Sequence, residues 1–494
     1  MKDKKFSSIF ATGLMAGLLL TGTAYALNPQ PEPPGSEIKK EDSVSIKMSG
    51  EFRTRGFYTS DLVSPGLPNS EDTEAFGDLR FRLKTTVKSD VAMGVIVADF
   101  TNGFCAPSVA TVQSGLPLDQ GMGSATFDDV LGFCSPGTVS TGNARFGTGT
   151  AFGHSLNIVG IREAYLMVHL KNFGAVAGRK HYRLGHGLVL DDTATGVGAR
   201  AHLGPVTLTV ADLNLADPIA GFGSGFAGTN NDSALYLIKL TDAPKAGMGH
   251  GKEKYSIYLG QLKDPKGNLT YNGFGGQNTF VAGFNAELNF IGASLKQYTY
   301  REGGPIIDLE VNSFDGDIEG AGAADPNISG ISALASLSVS PKPGKTVGLT
   351  FVYGSGQDPS KNPATGGKLN INALSGNYSL GNILLNTSMN SDRDGSSLTV
   401  GTRGIMAVKL SADCVKDEKK SLGVAVIWAE TAEDTTFTSR NLGVELDGNA
   451  SIKLDNNLQL TAGIGYLFAG NAWKEFKGDD GDAIKLHTAV VLTF

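Results

Sequence analysis

Long hydrophobic runs are missing from most of the chain, and cysteine, tryptophan and charge are scarce. After residue 20 no segment approaches the roughly 20 consecutive apolar residues that a membrane-spanning helix needs. The sequence has 3 cysteines and no Cys-x-x-Cys-His motif, which excludes covalent haem attachment. Charged residues make up 18% and the net charge is −7, so the composition does not indicate a nucleic-acid partner. The absence of a fixed repeat argues against a β-helix.

The N-terminus has the parts of an export signal. Lysines at positions 2, 4 and 5 precede an apolar run at 9–20, and small residues at positions 24 and 26 supply a cleavage site. We therefore predict a signal peptide over 1–26. The stretch that follows is rich in proline and charge, which predicts an extended periplasmic tether over 27–43.

Strict alternation of apolar and polar residues is abundant, and it is clearest from Arg440 to the end of the chain. Such alternation predicts β-strands that exceed the usual length of about 5–6 residues and match the about 9–11 residues that cross a membrane. Because lipid offers backbone groups no partners, these strands must close into a barrel. We predict an all-β fold, a transmembrane antiparallel β-barrel over 44–494, in the outer membrane of a Gram-negative bacterium. The closing strands are predicted at 442–454, 458–468 and 486–494.

The same pattern predicts about 18 strands, within a range of 16–20, joined by short periplasmic turns and long outer loops. The count is 18 if 367–392 belongs to a loop and 20 if that region forms a hairpin, and we expect 18. Two of the predicted long connections are 101–157 and 302–329. The other predicted strands lie at 44–58, 75–88, 91–100, 158–170, 173–185, 195–203, 206–214, 232–241, 253–262, 278–288, 291–301, 331–340, 344–354, 397–410 and 420–430.

Cationic residues recur on the polar face of the predicted strands. A cation that faces lipid near the bilayer midplane costs about 2–4 kcal/mol, so we expect these side chains in the lumen. A basic wall raises the local concentration of anions, and rings of Arg and Lys line anion-passing pores. An alternative stays open, in which Glu51, Glu163, Glu445 and Asp447 also face inward, pair with the arginines and leave little net selectivity. The predicted pore-lining, anion-binding residues are Arg53, Arg55, Arg80, Arg82, Lys84, Arg162, Arg179, Arg183, Arg200 and Arg403.

The cysteines suggest one covalent constraint. Cys105 and Cys134 lie in the same predicted loop, and an exported protein passes through an oxidising space, so we predict a disulfide between them. Such a bridge is worth about 3–4 kcal/mol in the loop-entropy description. The alternative is two free thiols. Cys414 lies in a charged stretch and has no predicted partner.

Two groups of segments resemble the alginate-export family of outer-membrane barrels. The first comprises 162–166 (REAYL), 178–180 (GRK) and 185–192 (GHGLVLDD), and the second comprises 442–447 (LGVELD), 458–460 (LQL) and 465–467 (GYL). The resemblance implies an 18-stranded monomer with an electropositive constriction that passes an anionic solute or polysaccharide. Arg162 and Arg179 are the positions that fit that constriction. The cysteine-bearing insertion at 101–157 departs from the family pattern and would plug or narrow the pore.

Other function classes have less support. No Ser, His and Asp set has a spacing that indicates catalysis, and triads are recognised by geometry, so we predict no catalytic residue, metal or cofactor. A metal site at His181, His186 and His202 is weighed and set aside, because histidine is also an ordinary lumen residue. We predict a porin for small anions; the alternatives are an exporter of acidic polysaccharide and a structural or adhesive barrel. The predicted partners are outer-membrane lipid, lipopolysaccharide and, through the last strand ending in Phe494, the barrel-assembly machinery, with no nucleic acid.

Overall fold

The computed structural model describes residues 36–39, 44–60, 73–105, 159–214, 234–242, 254–264, 285–299, 304–319, 327–356, 369–370, 380–384, 404–433, 439–477 and 481–494. The described chain is almost entirely β-strand, as the alternation predicts. The strands are β1 Ser45–Ser60, β2 Thr73–Lys88, β3 Ala92–Cys105, β4 Val159–Leu170, β5 Phe173–Arg183, β6 Asp191–Leu203, β7 Val206–Asn214, β8 Ala234–Asp242, β9 Tyr255–Asp264, β10 Asn285–Tyr298, β11 Ile306–Glu319, β12 Asn327–Lys342, β13 Lys345–Gly354, β14 Ile405–Lys416, β15 Lys420–Glu430, β16 Asn441–Lys453, β17 Leu458–Ala469 and β18 Ala483–Thr493.

These strands form one closed antiparallel barrel. Each strand pairs with the strands before and after it in the chain, and β1 closes the ring on β18. The closing register places Glu51 opposite Thr493 and Ser60 opposite Ile484. Closure pairs the backbone groups of every barrel strand on both sides, which a bilayer interior requires. The predicted fold class and the count of 18 strands are confirmed.

The alternation of the sequence separates an outer face from an inner face. On β9, Ile257 and Leu259 are 55% and 47% exposed on the outside, whereas Ser256 and Tyr258, which alternate with them, are buried inside. The same pattern recurs around the ring, so the barrel presents an apolar band outward, as transmembrane barrels do. Barrels of this architecture span bacterial outer membranes, which confirms the predicted location.

The two ends of the barrel differ in the lengths of their connections. At the end where Phe494 lies, six connections are turns of two to four residues, and the longest connections all lie at the other end. Short turns characterise the periplasmic end of such barrels, so the long connections are on the outer side. The six turns are 89–91, 171–172, 204–205, 343–344, 417–419 and 454–457, and the longest outer connections are 106–158, 265–284 and 355–404.

The predicted number of strands is right, although two regions of the chain were predicted wrongly. The predicted strands 278–288 and 291–301 are one strand, β10. The predicted connection 302–329 contains a full strand, β11, in which Leu309 and Val311 face outward and alternate with buried inward residues. The acidic side chains of β11 hide this alternation, because they give the segment the composition of a loop.

A few elements lie outside the ring of 18 strands. Ser36–Lys39 pairs with the part of β1 that extends past the end of β18, and Leu369–Asn370 runs parallel to the outer end of β12. A short helix, α1 Asn471–Lys477, lies in the connection between β17 and β18. No helix in the described part of the chain is long and apolar enough to cross a membrane. The predicted signal peptide lies outside the described residues, as does the predicted tether apart from 36–39.

Candidate functional site

The β5–β6 hairpin leaves the barrel wall and enters the lumen. Pairing between β4 and β5 ends at Arg179, and pairing between β6 and β7 ends at Thr195, so beyond these points β5 and β6 pair only with each other. Gly178 and Gly196 lie opposite each other at the point of departure. Gly178 has φ +115°, and a Cβ there would collide with the carbonyl oxygen of Ala164. We call residues 180–194 the inner hairpin.

One side of the inner hairpin packs against the inside of the barrel wall. Leu184 and Leu190 are buried on this side, next to inward-facing residues of β7 to β11. An apolar lining is unusual for a barrel whose lumen is predicted to be polar, and here it is covered by the hairpin itself. The wall residues of this cluster are Leu213, Leu235, Leu237, Tyr258, Leu262, Leu288, Phe290 and Phe314.

A carboxylate on β11 anchors the inner hairpin. Glu310 accepts a hydrogen bond from the backbone N–H of His186, at the tip of the hairpin. The same carboxylate accepts a hydrogen bond of 2.9 Å from the Tyr258 hydroxyl and one of 2.9 Å from the Asn312 amide. Glu310 is 2% exposed, so its charge is held by these donors and not by bulk water.

A second segment enters the lumen from the connection between β13 and β14. Residues 380–384, which we call the inner segment, are anchored by Glu445 on β16, which accepts hydrogen bonds of 2.7–2.8 Å from three consecutive backbone N–H groups, those of Asn382, Ile383 and Leu384. Lys409 of β14 donates to the carbonyl of Leu380. We call the inward face of β9 to β16, which holds both the inner hairpin and the inner segment, the anchoring wall.

The inner hairpin and the inner segment meet in one apolar cluster. Leu188 of the hairpin packs with Leu380, Ile383 and Leu384 of the segment. Trp473 of α1 closes the same cluster and is 3% exposed. Side chains of the barrel complete it, so the described chain fills this side of the interior with packed apolar groups. The barrel residues are Leu334, Val352, Ile405, Ala407, Ile427, Ala429, Leu442, Leu467 and Ala483.

The opposite side of the interior is basic. Strand register places the cations of β1, β2, β4 and β18 on the inward face, and we call this face the basic wall. Arg53 and Arg80 lie directly opposite each other on neighbouring strands and are buried. The cations of the basic wall are Arg53, Arg55, Arg80, Arg82, Lys84, Arg162 and Lys485.

Two carboxylates in the described part of the basic wall bind arginine. Arg80 donates to Glu51 through both Nε and Nη2. Asp99 of β3 accepts two hydrogen bonds from Arg82, at 2.5 and 2.6 Å, and lies 3.8 Å from Arg162. Among the described residues of this wall, Glu51 forms the kind of pair that the open alternative predicted, and Asp99, which that alternative did not name, forms another.

Three further predicted residues lie on β5 and β6. Because the even-numbered side of the hairpin packs on the wall, the odd-numbered side, with Arg179 and Arg183, is turned towards the rest of the lumen. Arg179 donates to the Thr193 hydroxyl at 3.2 Å, and Arg183 lies 3.5 Å from Asp191. Arg200 faces inward on β6 and contacts His169 Nδ1 at 2.7 Å.

The three histidines that the sequence brings close together have separate partners. His181 contacts Asp191 at 2.7 Å, and His202 contacts the Thr207 hydroxyl at 2.9 Å. The His186 ring lies against the carbonyl of Leu295. Among the described residues no group of three His, Cys, Asp or Glu side chains forms a metal site.

Several predicted residues cannot be compared with the structure. Arg403 and Cys134 lie outside the described residues, and Cys105 is described only as the end of β3, so the disulfide stays a prediction. Cys414 is a free, exposed thiol. Alternation over 442–454 places Leu442 on the apolar, lipid-facing side, but a register shift at Gly443, which has φ +129°, leaves Leu442 buried inside.

The sequence analysis missed the residues that shape the lumen. Glu310 was assigned to a connection. Only the open alternative paired Glu445 with arginines, and the structure shows it bound to backbone N–H groups. Lys485 was read as a polar-face residue without a role, yet it is fully buried on β18. Three consecutive apolar residues, Leu188 to Leu190, in a segment between strands were a usable signal that this segment is buried.

Comparison with solved structures supports the fold. The chain is similar to OccK9 (OpdG) of Pseudomonas aeruginosa, with a TM-score of 0.50, 12% identity, and coverage of 91% of this chain and 98% of that one. It is similar to OccK2 (OpdF) of the same organism, with a TM-score of 0.51, 10% identity, and coverage of 91% and 97%. It is also similar to a BenF-like porin from Pseudomonas fluorescens Pf-5, with a TM-score of 0.49, 12% identity, and coverage of 91% of this chain and 98% of that one.

These likenesses show that the chain has the fold of outer-membrane porin barrels. No protein-family model matches the sequence. No curated protein matches it either.

Proposed function

We propose that the protein is an outer-membrane channel for passive passage of small anionic solutes. The solutes move along the basic wall, past the odd-numbered side of the inner hairpin, while the anchoring wall confines them to that side of the lumen. The residues proposed to line the passage and bind anions are Arg53, Arg55, Arg80, Arg82, Lys84, Arg162, Arg179, Arg183, Arg200 and Arg403.

The observation that carries this proposal is the register of β1 and β2. It places Arg53 directly opposite Arg80, and like charges directly opposite each other on neighbouring strands are destabilising. Glu51 binds Arg80 through its side chain and lies on the same inward face as Arg53. A pairing that costs stability and concentrates positive charge on a lumen wall favours a role in attracting anions.

The acids of the opposite side do not cancel this charge. Glu310 and Glu445 are buried and bind backbone N–H groups of the inner hairpin and the inner segment. Their charges are taken up by hydrogen-bond donors that are fixed in the fold. The field along the passage is therefore set mainly by the basic wall.

The end of the chain suggests how the barrel is assembled. Phe494 exchanges backbone hydrogen bonds with Gly50 and stacks on Phe81, with ring centroids 5.9 Å apart. Its side chain is 39% exposed at the periplasmic rim. We propose that this last strand is recognised by the barrel-assembly machinery and that the finished barrel is surrounded by lipid and lipopolysaccharide.

The test is the reversal potential of the refolded protein in a planar bilayer under a KCl gradient. We expect a potential on the chloride side of zero, within the limit of about 59 mV per tenfold gradient. Replacing Arg80 and Arg82 together by Ala should move it towards zero. Lys263→Ala, which removes a cation on the outer surface, is the control and should leave it unchanged. A cation-selective channel, or an unchanged potential in the double variant, would contradict the proposal.

The resemblance to alginate exporters stays a prediction from the sequence, and it shares the basic passage. The two functions can be distinguished by measuring the release of uronates of different length from vesicles that contain the protein. A diffusion channel passes monomeric uronates and excludes long uronate chains, whereas an exporter passes the chains. Passage of the long chains by the barrel would favour the exporter.

A further inference from the structure

We propose that Glu310 and Glu445 are positioning residues that fix the width of the passage by holding the inner hairpin and the inner segment across the lumen. This inference rests on the proposed channel function and adds residues that the basic wall does not contain. These two acids determine where two backbone segments lie in the lumen. They do not determine whether the channel prefers anions or cations.

Glu310 has the contacts of a latch. Its carboxylate binds one group of the inner hairpin, the backbone N–H of His186, and two groups of the wall, on Tyr258 and Asn312. Asn312 in turn donates to the Ser332 hydroxyl at 3.0 Å on β12. The wall side of this network is buried and fully within the barrel, so it remains in place if the hairpin leaves.

Glu445 repeats the arrangement on a different strand. Both of its oxygens accept backbone N–H groups of the inner segment, two at Oε1 and one at Oε2. Successive N–H groups that converge on one anion form a nest, and the nest here is occupied by a side chain of the protein itself. Asp447, two residues along the strand, adds a contact of 3.2 Å to Asn382 N.

A glycine lies against each carboxylate. A Cβ on Gly185 would be 2.5 Å from Glu310 Oε2, and a Cβ on Gly381 would be 2.6 Å from Glu445 Oε2. The absence of a side chain lets each backbone approach its acid closely enough for the N–H groups to bind. A glycine beside the anchoring carboxylate occurs in both connections. This indicates that both the inner hairpin and the inner segment require close contact with the wall.

The two latched parts also support each other. Leu188 of the inner hairpin is buried among the apolar residues of the inner segment. Release of the inner segment therefore exposes one side of the hairpin and of Trp473 to water. The obstruction as a whole depends on two carboxylates that do not face the open passage.

A different role for these acids makes different predictions. If Glu445 acted as a cation filter, loss of its charge would set the effect, so Glu445→Gln and Glu445→Ala would shift the reversal potential equally and leave the conductance alone. As a latch, Gln keeps an acceptor for the two N–H groups now on Oε1, whereas Ala keeps none. The conductance should then rise more in Glu445→Ala than in Glu445→Gln.

The experiment measures single-channel conductance together with tryptophan fluorescence. The chain has two tryptophans, and Trp428→Phe leaves Trp473, inside the cluster, as the reporter. In that background we expect Glu445→Ala to raise the conductance and the open-channel noise and to shift the Trp473 emission to the red. Glu287→Ala, on the outer surface, is the matched control and should change none of these.

A second variant, Gly381→Ala, can be measured if Glu445→Ala does not refold. Gly381→Ala crowds the latch without removing any charge, and it should also raise the conductance and shift the Trp473 emission. Conductance and emission that match the parent protein in Glu445→Ala, or in Gly381→Ala where only that variant folds, would overturn the latch. A parent protein that does not conduct would overturn the proposed function instead, and the Trp473 emission would still report on the latch.

Discussion

The basic wall and the anchoring wall of this barrel use buried charge in opposite ways. On the basic wall, side chains bind side chains, as Arg82 does with Asp99, and cations remain in excess. On the anchoring wall, Glu310 and Glu445 bind backbone N–H groups of chain segments that enter the lumen. In the proposed channel, the first arrangement attracts anions, whereas the second holds a segment of the chain in place.

The difference shows that counting charges does not give selectivity. The net charge of the chain is −7, yet the register of β1 and β2 gathers arginines on one inward face of the barrel. A carboxylate that accepts two or three fixed N–H groups has its charge compensated locally, and it is held away from the passage. Glu51 and Asp99 instead lie beside arginines of the basic wall, so in the proposed channel their removal would change the charge along the passage.

The largest effect should come from removing an acid of the anchoring wall. Glu310→Ala leaves the buried His186 N–H and one N–H of the Asn312 amide without their acceptor, and each such group costs about 1–3 kcal/mol, while the Tyr258 hydroxyl keeps Asn312 Oδ1 at 2.6 Å. We expect the free energy of unfolding to fall by about 3–5 kcal/mol, with little change in ion selectivity. Denaturant unfolding of the barrel in detergent measures the first quantity.

The control for Glu310→Ala is an acid outside both walls. Glu287 is on the outer surface, with its side chain 47% exposed and 3.5 Å from Lys263. Its replacement by Ala should change the unfolding free energy by less than about 1 kcal/mol. Equal losses for the two variants would mean that the network around Glu310 is not specially stabilising, and the contrast between the walls would lose its energetic basis.

The next effect concerns the glycine that lets the inner hairpin reach its latch. Gly185 has φ +52° and lies against Glu310, so Gly185→Ala adds both backbone strain and a contact that must be relieved. We expect a loss of about 1–3 kcal/mol in unfolding free energy and an increase in conductance. Gly94→Ala is the matched control, because a Cβ there meets nothing within 4 Å; an equally large effect at Gly94 would refute the explanation.

Alternation was sufficient to predict the barrel but not its interior obstruction. The period-2 pattern follows from the requirement that one face meets lipid, so β16 to β18 could be read directly from the sequence. It failed on β11, where Asp308, Glu310 and the acids of its outer end outweigh the apolar residues between them. That strand is specified by its pairing with β10 and β12, which a single sequence does not reveal.

The anchors of the inner hairpin and the inner segment could not be predicted, because their contacts join distant parts of the chain. Glu310 is 124 residues from His186, and Glu445 is 62 residues from Ile383. The direction in which a hairpin leaves a wall depends on a hinge, here Gly178 opposite Gly196, and on the surface that receives it. By contrast, the inward cations of β1 and β2 follow from parity alone.

A smaller effect should follow from removing an acid of the basic wall. Asp99→Asn removes the charge that neutralises Arg82 and also lies close to Arg162. We expect the reversal potential to move by a few millivolts further to the chloride side, within the limit of about 59 mV per tenfold gradient, and the unfolding free energy to fall by about 1 kcal/mol. A large loss of stability with no change in selectivity would place Asp99 with the anchoring acids and break the comparison.

The smallest effect is expected for an acid that belongs to neither wall. In the periplasmic turn 417–419, Asp417 Oδ1 accepts hydrogen bonds from the backbone N–H of Lys419 at 2.8 Å and of Lys420 at 2.6 Å. These bonds lower the pKa of the Asp417 carboxyl below its ordinary value.

Because the pKa of Asp417 is lowered in the folded protein, its ionised carboxylate stabilises the turn above the ordinary pKa. This stabilisation is lost as the pH falls through the lowered pKa. Amide hydrogen exchange at Lys419 and Lys420 should therefore lose protection, relative to other turn amides, only in that acidic range. Asp417→Asn should abolish this pH dependence and leave conductance and selectivity unchanged, since the turn lies outside the lumen; a change in selectivity would show that charge at the periplasmic mouth also contributes to the field that we assign to the basic wall.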